Sequence, residues 1–324
     1  MRNKTFNIFT NKYSVVLLAV SACILWGSAF PSLKVSYSLL NIDDSGPFIK
    51  MLFASYRFML AAFMLIVFII FKSGFKRLKL KKKDYLNLII LGLIQTFGQY
   101  AFFYNGLAKT TGVKASVLMT SGIFFTVIAS HFIYKDDRLN KLKTFGLILG
   151  ITGVIIINIS RGNLNFIFKF TGEGFIIMTG VMSTIAILYV KYLSEKIDIM
   201  IITAFQMLFG SVTLFLIALT GANINAISFN FKTGILLVYL AFISAAAFGL
   251  WYSLIKFNKV GYITIYKFIV PVSGVFLSSI FIITETITIS AVIALVLVSL
   301  GIVIINMPQE YLNKNFKAKG GKTK

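Results

Sequence analysis

Ten long apolar stretches occupy most of this 324-residue chain. About 20 consecutive apolar residues are needed to cross about 30 Å of hydrocarbon. In lipid only α-helices and closed β-barrels pair all their backbone polar groups, and continuous apolar runs are typical of helices. The stretches therefore predict ten transmembrane helices, over residues 13–34, 51–71, 85–107, 113–134, 142–159, 174–193, 199–219, 234–255, 262–283 and 287–306.

The composition excludes an ordinary soluble protein. Hydrophobic residues make up 58% of the chain and charged residues 13%, whereas soluble domains carry about 25% charged residues. The longest polar connections, near 37–50, 72–84 and 160–173, are too short for a folded extramembrane domain. We therefore expect the lipid bilayer to surround the chain.

The positive residues behind the net charge of +22 fall mainly in segments predicted to lie on one side of the membrane. With the N-terminus inside, the segments on the cytoplasmic side hold 23 of the 32 lysines and arginines, and the outer segments hold seven. Positive residues concentrate in cytoplasmic loops, so both termini are predicted to be cytoplasmic. This distribution argues against a nucleic-acid partner, and the basic run 76–83 is expected to lie against anionic lipid headgroups.

The chain repeats itself at an offset of 148 residues. Residues 153–158 read GVIIIN, residues 301–306 read GIVIIN, and the same offset pairs Asp137 with Glu285. Each copy closes a half with five apolar stretches, and an odd number of crossings forces the halves into opposite orientations. Inverted repeats are typical of secondary transporters. The predicted fold is an all-α membrane protein with ten transmembrane helices in two inverted five-helix repeats.

The repeat also predicts the domain organisation. The first repeat covers residues 1–159 and the second covers residues 174–306. The polar segment 160–173 links them, and residues 307–324 are expected to form a basic cytoplasmic tail. Sequence leaves the oligomeric state open, with a homodimer as one alternative.

Short motifs along the chain carry a family resemblance. They are Trp26-Gly27-Ser28-Ala29-Phe30 with Lys34, Arg57-Phe58, the run from Leu107 to Leu139 followed by Gly146, Gly150 and Gly153, and the pair Pro271 and Glu285. This set resembles the drug/metabolite transporter superfamily, specifically its EamA-type repeats, over nearly the whole chain. The chain departs from the family pattern at Ile123 in place of proline, at Asp137 in place of glutamate, and at Ser183 in place of a second tryptophan.

The resemblance implies a fold and an activity. It implies ten helices and an alternating-access carrier whose central cavity is lined by helices one to four and six to nine, with helices five and ten peripheral. The expected function is secondary transport of a small metabolite, amino-acid-like or an organic anion, in the direction of efflux. Residue usage rich in Lys, Ile, Asn and Phe is typical of an AT-rich genome and favours a bacterial cytoplasmic membrane.

Two cations lie inside predicted helices. Arg57 lies near the membrane midplane in the second stretch, and Lys267 lies five residues inside the ninth. A charge at depth costs at least about 2.5–3.5 kcal/mol, so each side chain should face a cavity or a partner. Both are predicted to bind substrate. The alternatives are an Arg57 that bonds backbone carbonyls of neighbouring helices and a Lys267 that snorkels to the interface.

Pro271 is predicted to act as a hinge beside Lys267. Proline removes the amide that would bond to the carbonyl of residue 267, and its ring clashes with that carbonyl. A kink at this point should expose a hydrogen-bond acceptor close to the ammonium.

A polar and aromatic set completes the predicted substrate site. Gln95 and Gln99 lie one helical turn apart, and their repeat partners Ile243 and Ala247 are apolar. This difference between the copies favours a binding wall, against the alternative of interhelical hydrogen bonds worth about 0.6 kcal/mol each. The aromatic residues expected to line the site, with anchoring at the membrane interface as the alternative, are Trp26, Tyr104, Tyr252 and Tyr266.

Enzyme and cofactor signatures are missing from the sequence. His131 is the single histidine, and there is no zinc-binding pair, activated nucleophile or phosphate-binding glycine loop. The acidic residues lie in loops or at the ends of stretches, so we expect no buried carboxylate and no strict proton coupling. A membrane enzyme acting on lipid-linked substrates and a non-transporting scaffold are the alternative functions.

Overall fold

The structure is a computed structural model that describes residues 8–110, 115, 118–159, 168–282 and 287–306. Within these ranges the chain forms helices and turns, and no β-strand occurs. Each of the ten predicted stretches contains one main helix. In chain order they are α1 (Lys12–Leu39), α2 (Pro47–Ser73), α3 (Lys82–Leu107), α4 (Ser121–Ile133), α5 (Lys141–Ile159), α6 (Phe170–Leu193), α7 (Ile199–Ala218), α8 (Phe231–Phe257), α9 (Val260–Phe281) and α10 (Ile289–Ile305).

The helices have the length and surface of membrane spans. Seven of them, α1 to α3 and α6 to α9, are long and apolar enough to cross a membrane, and α4 and α10 are shorter apolar helices. Large apolar side chains are exposed along the outside of the bundle, for example Phe63, Phe71, Phe132, Leu216, Phe242 and Ile289. An apolar surface of this extent requires lipid around it. The protein is a multi-span membrane protein, and the all-helical fold class and the ten helices are confirmed.

Side-chain caps determine where several helices begin. Asn11 accepts hydrogen bonds from the amides of Tyr13 and Ser14 at 3.1 and 3.2 Å, at the start of α1. Asn230 and Thr233 form a reciprocal capping box at the start of α8. Such caps satisfy N–H groups that the first helical turn leaves unpaired. They place the start of a helix at short polar residues outside the apolar run, which is why α8 begins before its predicted stretch.

The helices pack in a pattern that repeats between the halves. α1 packs on α8 and α9, and α6 packs on α3 and α4, which is the same arrangement with each helix number changed by five. α2 packs on α8 as α7 packs on α3, while α2 also packs on α7, α4 on α9, and α5 on α10. Exchanging the two sets of five helices therefore converts this set of contacts into itself. Beyond their mutual contact, α5 and α10 pack on α9.

The close approach of α1 to α9 depends on Gly27. A Cβ atom on Gly27 would lie 2.1 Å from Ser273 Oγ and 2.9 Å from the backbone nitrogen of Gly274. The counterpart helices α6 and α4 meet in the same way, because a Cβ on Gly180 would lie 2.8 Å from the backbone nitrogen of Gly122. Small residues allow membrane helices to approach backbone to backbone. The two contacts thus share one packing solution.

Gly27→Ala is expected to lower the free energy of unfolding by about 1–3 kcal/mol, the usual cost of overpacking. The hydroxyl of Ser273 can rotate away from the new methyl group, but the backbone of Gly274 cannot. Gly249→Ala is the matched control, since its Cβ would meet only the Met200 sulfur, at an ordinary 3.7 Å. Chemical unfolding of the purified protein in bicelles measures both. Equal stability of the two variants would contradict the close contact.

Candidate binding site

α9 changes its helix type next to Lys267. Val260–Thr264 and Ile269–Phe281 are α-helical, whereas Ile265–Phe268 form a 3-10 turn. Pro271 follows within one helical turn. A 3-10 stretch inside a helix often marks a hinge or a strained sequence. The proline therefore accompanies a local tightening of a continuous helix, and its role as a hinge stays a prediction.

The Lys267 ammonium lies between two tryptophan rings. Its Nζ is 5.7 Å from the ring centroid of Trp26 on α1 and 5.4 Å from the ring centroid of Trp251 on α8. It also donates a long hydrogen bond of 3.5 Å to Ser183 Oγ on α6. No carboxylate among the described residues lies within ion-pair distance of this ammonium. The side chain is thus held by interior positions of three other helices.

The two rings compensate for much of the cost of a half-buried charge inside a membrane helix. A desolvated cation over an aromatic face gains about 2 kcal/mol, and two faces are present here. The cost of a lysine at the centre of a membrane helix is about 2.5–3.5 kcal/mol on insertion scales. Since the two terms are of similar size, the rings can hold the ammonium without a protein carboxylate. An ammonium has three N–H donors, and one of them makes the long bond to Ser183, so hydrogen-bonding capacity remains for another group.

Further ring contacts extend the tryptophan pair into an aromatic wall. Trp26 packs edge-on against Phe248 with centroids 5.1 Å apart, and Phe248 packs edge-on against Tyr252 at 5.6 Å. Trp251 Nε1 and the Tyr252 hydroxyl are buried and have no hydrogen-bond partner among the described residues. Buried polar atoms are normally paired, so these two need an explanation. Both are candidate donors to a bound ligand.

α3 is also distorted, at the predicted glutamine pair. Leu93–Gly98 form a π-helical turn between two α-helical parts, and π-turns are frequent at functional sites. Gln95 Nε2 donates to Gln99 Oε1 at 2.6 Å, while the buried Gln95 Oε1 has no partner in the described part of the chain. Thr179 on α6 donates to the carbonyl of Gln99 at 3.5 Å, one turn before Ser183. One face of α6 therefore contacts both the glutamine pair and the lysine site.

Arg57 has hydrogen-bond partners within the protein. Its Nε donates to Ser244 Oγ at 2.7 Å and to the carbonyl of Leu240 at 3.2 Å, both on α8. The side chain is buried, and its guanidinium carbon lies 5.1 Å from the centroid of the Phe58 ring. These are the interhelical bonds that the structural alternative for Arg57 requires. Contact with substrate stays a prediction.

The hydroxyls of two predicted aromatic residues, Tyr104 and Tyr266, bond to residues other than the lysine. Tyr104 accepts a 3.4 Å hydrogen bond from Tyr37, which is eleven residues beyond Trp26 on α1 and so about 16 Å further along the helix. The hydroxyl of Tyr266 accepts a 2.7 Å hydrogen bond from Asn306, at the end of α10. The other two predicted aromatic residues belong to the wall around the ammonium.

With this geometry described, comparison with known proteins decides the family. The model of the EamA-like transporter family matches residues 13–159 and matches again over residues 170–307. This chain belongs to the EamA-like transporter family. The resemblance predicted from the motifs is confirmed.

Relatives of this EamA-family chain are named as transporters. A Bacillus subtilis protein named "Uncharacterized transporter YyaM" is 27% identical over 296 residues, which cover 89% of this chain and 92% of that protein. An Archaeoglobus fulgidus protein named "Uncharacterized transporter" is 27% identical over 264 residues, 81% of this chain and 86% of that protein. A solved crystal structure has the same fold, with a TM-score of 0.75 at 16% identity over 91% of this chain and 98% of the other.

Two carboxylates of the EamA-family chain are buried, contrary to the sequence expectation. Asp137, between α4 and α5, is 1% exposed, and Glu173, in the first turn of α6, is 4% exposed. Asp137 pairs with the ammonium of Lys143, and Glu173 accepts a 2.8 Å hydrogen bond from the amide of Lys169. The expectation was wrong because position in a loop does not reveal that the loop folds over its own carboxylate. Glu285, the repeat partner of Asp137, lies outside the described residues.

Sequence reasoning also missed some polar and aromatic groups near the predicted residues. Phe248 joins the rings of the wall, and Thr96 on α3 donates to Gln206 Oε1 on α7 at 2.8 Å. Gln206 Nε2 has no partner among the described residues. The available signal was a glutamine inside an apolar stretch, the same signal that identified Gln95.

Arg57→Met is expected to lower the free energy of unfolding by about 1.5–3 kcal/mol, the range for hydrogen bonds to charged groups. The loss of stability follows from the Nε bonds to α8, whereas the substrate contact predicted for Arg57 would appear separately, as weaker substrate affinity. Ser244→Ala is the comparison variant, since it removes one of the two partners and should cost less. Unfolding in bicelles and a transport titration measure the two effects. A stable Arg57→Met protein with weakened substrate affinity would instead show that Arg57 contacts substrate.

Proposed function

We propose that this EamA-family chain is a secondary carrier that moves a small carboxylate-bearing metabolite, amino-acid-like or an organic anion, out of the cell by alternating access. The observation that carries the proposal is the half-buried Lys267 ammonium inside α9. It lies between Trp26 and Trp251, and within the described residues its one hydrogen bond is the long one to Ser183. A charge held by rings rather than by a carboxylate can pair with an anion that arrives and leaves.

The groups around the ammonium suit a carboxylate attached to a small apolar or zwitterionic body. A charge-assisted hydrogen bond from Lys267 would supply about 1.5–3 kcal/mol. Trp251 Nε1 and the Tyr252 hydroxyl, which have no partner in the described residues, are further donors on the aromatic wall, and the wall formed with Trp26 and Phe248 can pack against the rest of the substrate. Gln95 Oε1, an unpartnered acceptor on α3, suits an amino group.

Alternating access is supported by the way the helices pack. The helix contacts are the same when the two sets of five helices are interchanged, which fits two inverted repeats. This arrangement is typical of carriers whose site lies between the repeats. The excess of cationic residues on one side supports cytoplasmic termini and a place in the cytoplasmic membrane of a bacterium. The enzyme and scaffold alternatives have no comparable support from the described residues.

Lys267→Met preserves the side-chain stem and removes the charge. The concentration of carboxylate substrate needed for half-maximal counterflow should rise at least about tenfold, the lower limit for loss of a charged hydrogen bond. Lys72→Met is the matched control, because the Lys72 ammonium also lies over a ring, 5.7 Å from the Phe68 centroid, but is exposed. Proteoliposomes loaded with a broad pool of labelled metabolites provide the measurement. The proposed role of Lys267 fails if its variant matches the control, and the carrier function fails if the wild-type protein exchanges no metabolite.

Counterflow is expected to continue after a protonophore collapses the pH gradient. The two buried carboxylates, Asp137 and Glu173, are each engaged at a helix end, and neither pairs with Lys267. Proton-coupled carriers usually place a titrating group inside the membrane for that purpose. Because exchange needs no gradient even in a proton-coupled carrier, the test also compares net uptake of labelled substrate into substrate-free proteoliposomes with and without the protonophore. Transport that stops without the gradient would contradict this expectation.

A further inference from the structure

A second polar cluster lies at the turn between α8 and α9, about two helical turns from Lys267 along α9. A cleft of about 490 Å³ opens there, between the loop that follows α4 and the α8–α9 turn. Its polar lining comes from Tyr134, Asp136, Asp137, Lys191, Asn258 and Lys259. The cleft therefore marks a place where a loop of the first half meets the beginning of a helix of the second half.

Asp137 joins the two halves at this place. Its Oδ2 accepts a 2.6 Å hydrogen bond from the backbone N–H of Gly261, in the first turn of α9. Its Oδ1 pairs with the Lys143 ammonium, which also donates to the carbonyls of Asp137 and Arg138 at 3.0 and 3.1 Å. A carboxylate at a helix N-terminus is stabilised by the free N–H groups and by the helix dipole. Lys143 thus orients a charge that holds α9.

Gly261 allows the carboxylate to come this close. A Cβ atom on Gly261 would lie 2.5 Å from Ser130 Oγ on α4 and 3.2 Å from Asp137 Oδ2. The start of α9 packs against α4 around this point. The contact between the halves is therefore short and backbone-mediated, without an interlocking of large side chains.

Lysines secure the rest of the turn. Lys259 donates to the carbonyl of Asp136, which is a second bond between the halves. Lys191 on α6 donates to three carbonyls at the end of α8, those of Ile255, Lys256 and Asn258. Lys191 and α8 belong to the same half, so this second clamp can persist when the halves separate. The described bonds between the halves at this turn are those of Gly261 with Asp137 and of Lys259 with Asp136, and a 2.9 Å bond from Asn258 to the carbonyl of Phe9.

We propose that Asp137 is a latch that closes this end of the bundle, and that its release from Gly261 opens the path to the Lys267 site. The inference rests on the proposed carrier function, because an alternating-access carrier must open and close each end. α9 carries both the latched amide and Lys267, and the 3-10 turn Ile265–Phe268 lies just after the latch. Movement at the latch therefore acts on the helix that carries the ammonium.

The test uses full-length protein in liposomes, with Cys23→Ala removing the native thiol. A reporter cysteine replaces Thr264, which is fully buried one turn after Gly261. In a second protein the cysteine replaces Ser36, which is fully buried near the far end of α1. The measured quantity is the rate of labelling of each cysteine by a membrane-impermeant maleimide applied on the side of the latch or on the opposite side.

Asp137→Asn is expected to raise the labelling rate of the Thr264→Cys reporter at least about tenfold, equivalent to about 1.4 kcal/mol in the closed–open equilibrium. Asp136→Asn is the matched control. Its side chain is exposed and its bond to Lys259 uses the backbone carbonyl, so the labelling rate should not change. The Ser36→Cys reporter should label no faster in the latch variant, because the opposite end stays closed.

Equal labelling in the Asp137→Asn and Asp136→Asn proteins would overturn the latch, as would a parallel rise at both reporters, which indicates general loosening. If the Asp137→Asn variant does not fold, the test is repeated with the double variant Asp137→Asn, Lys143→Met. The second substitution removes the Lys143 ammonium, which would otherwise be left without its carboxylate partner. If neither folds, Asp137 is a folding residue and the proposal is wrong. Labelling needs no substrate, so a labelling difference without wild-type counterflow would reject the carrier function and retain the latch contact.

Discussion

A charge buried between membrane helices needs compensation from inside the protein, and the arrangement around Lys267 meets that need with aromatic faces. Trp26 comes from α1 and Trp251 from α8, so the position of the ammonium depends on how these helices pack with α9. The Gly27 contact brings α1 next to α9 one residue away from the first ring. The ring faces attract the positive charge but contain no oxygen acceptor. The ammonium can therefore still donate hydrogen bonds to an anion.

The other charged side chains between the helices are paired with protein groups. This contrast distinguishes a charge available for binding from charges with a structural role. Asp137 and Lys143 neutralise each other at a helix end, and Lys191 is saturated by three carbonyls. Arg57 uses its Nε to fix α8 to α2. Of the two cations predicted to lie inside the spans, Arg57 and Lys267, it is Lys267 that has the weaker set of protein hydrogen bonds among the described residues. A buried charge left in this condition costs stability unless a ligand uses it, which is why the proposed function is built on it.

The helices could be predicted from sequence because hydrocarbon thickness fixes how long an apolar run must be. The observed helix ends differ from the predicted ones where a capping residue such as Asn230 lies outside the apolar run. Trp26 contacts the lysine and Tyr252 packs on Phe248 in the same wall, and the predicted lining of a substrate site by these residues stays a prediction. The partners of Arg57 and the burial of Asp137 were not predictable. The partners of Arg57 lie more than 100 residues away, and Asp137 is enclosed both by Lys143 in its own loop and by the distant Gly261. Helical periodicity contains no information about such contacts.

The central claim is that the ammonium between the tryptophan rings selects a carboxylate. The chain has two tryptophans, and both of them form the cation–π contacts with this ammonium. Intrinsic fluorescence of the purified protein therefore reports on the site without a label. Titration with the transported carboxylate should give a saturable change in tryptophan emission, and the matched neutral amide should give none over the same concentrations. A change of equal size and midpoint with the amide would contradict the account.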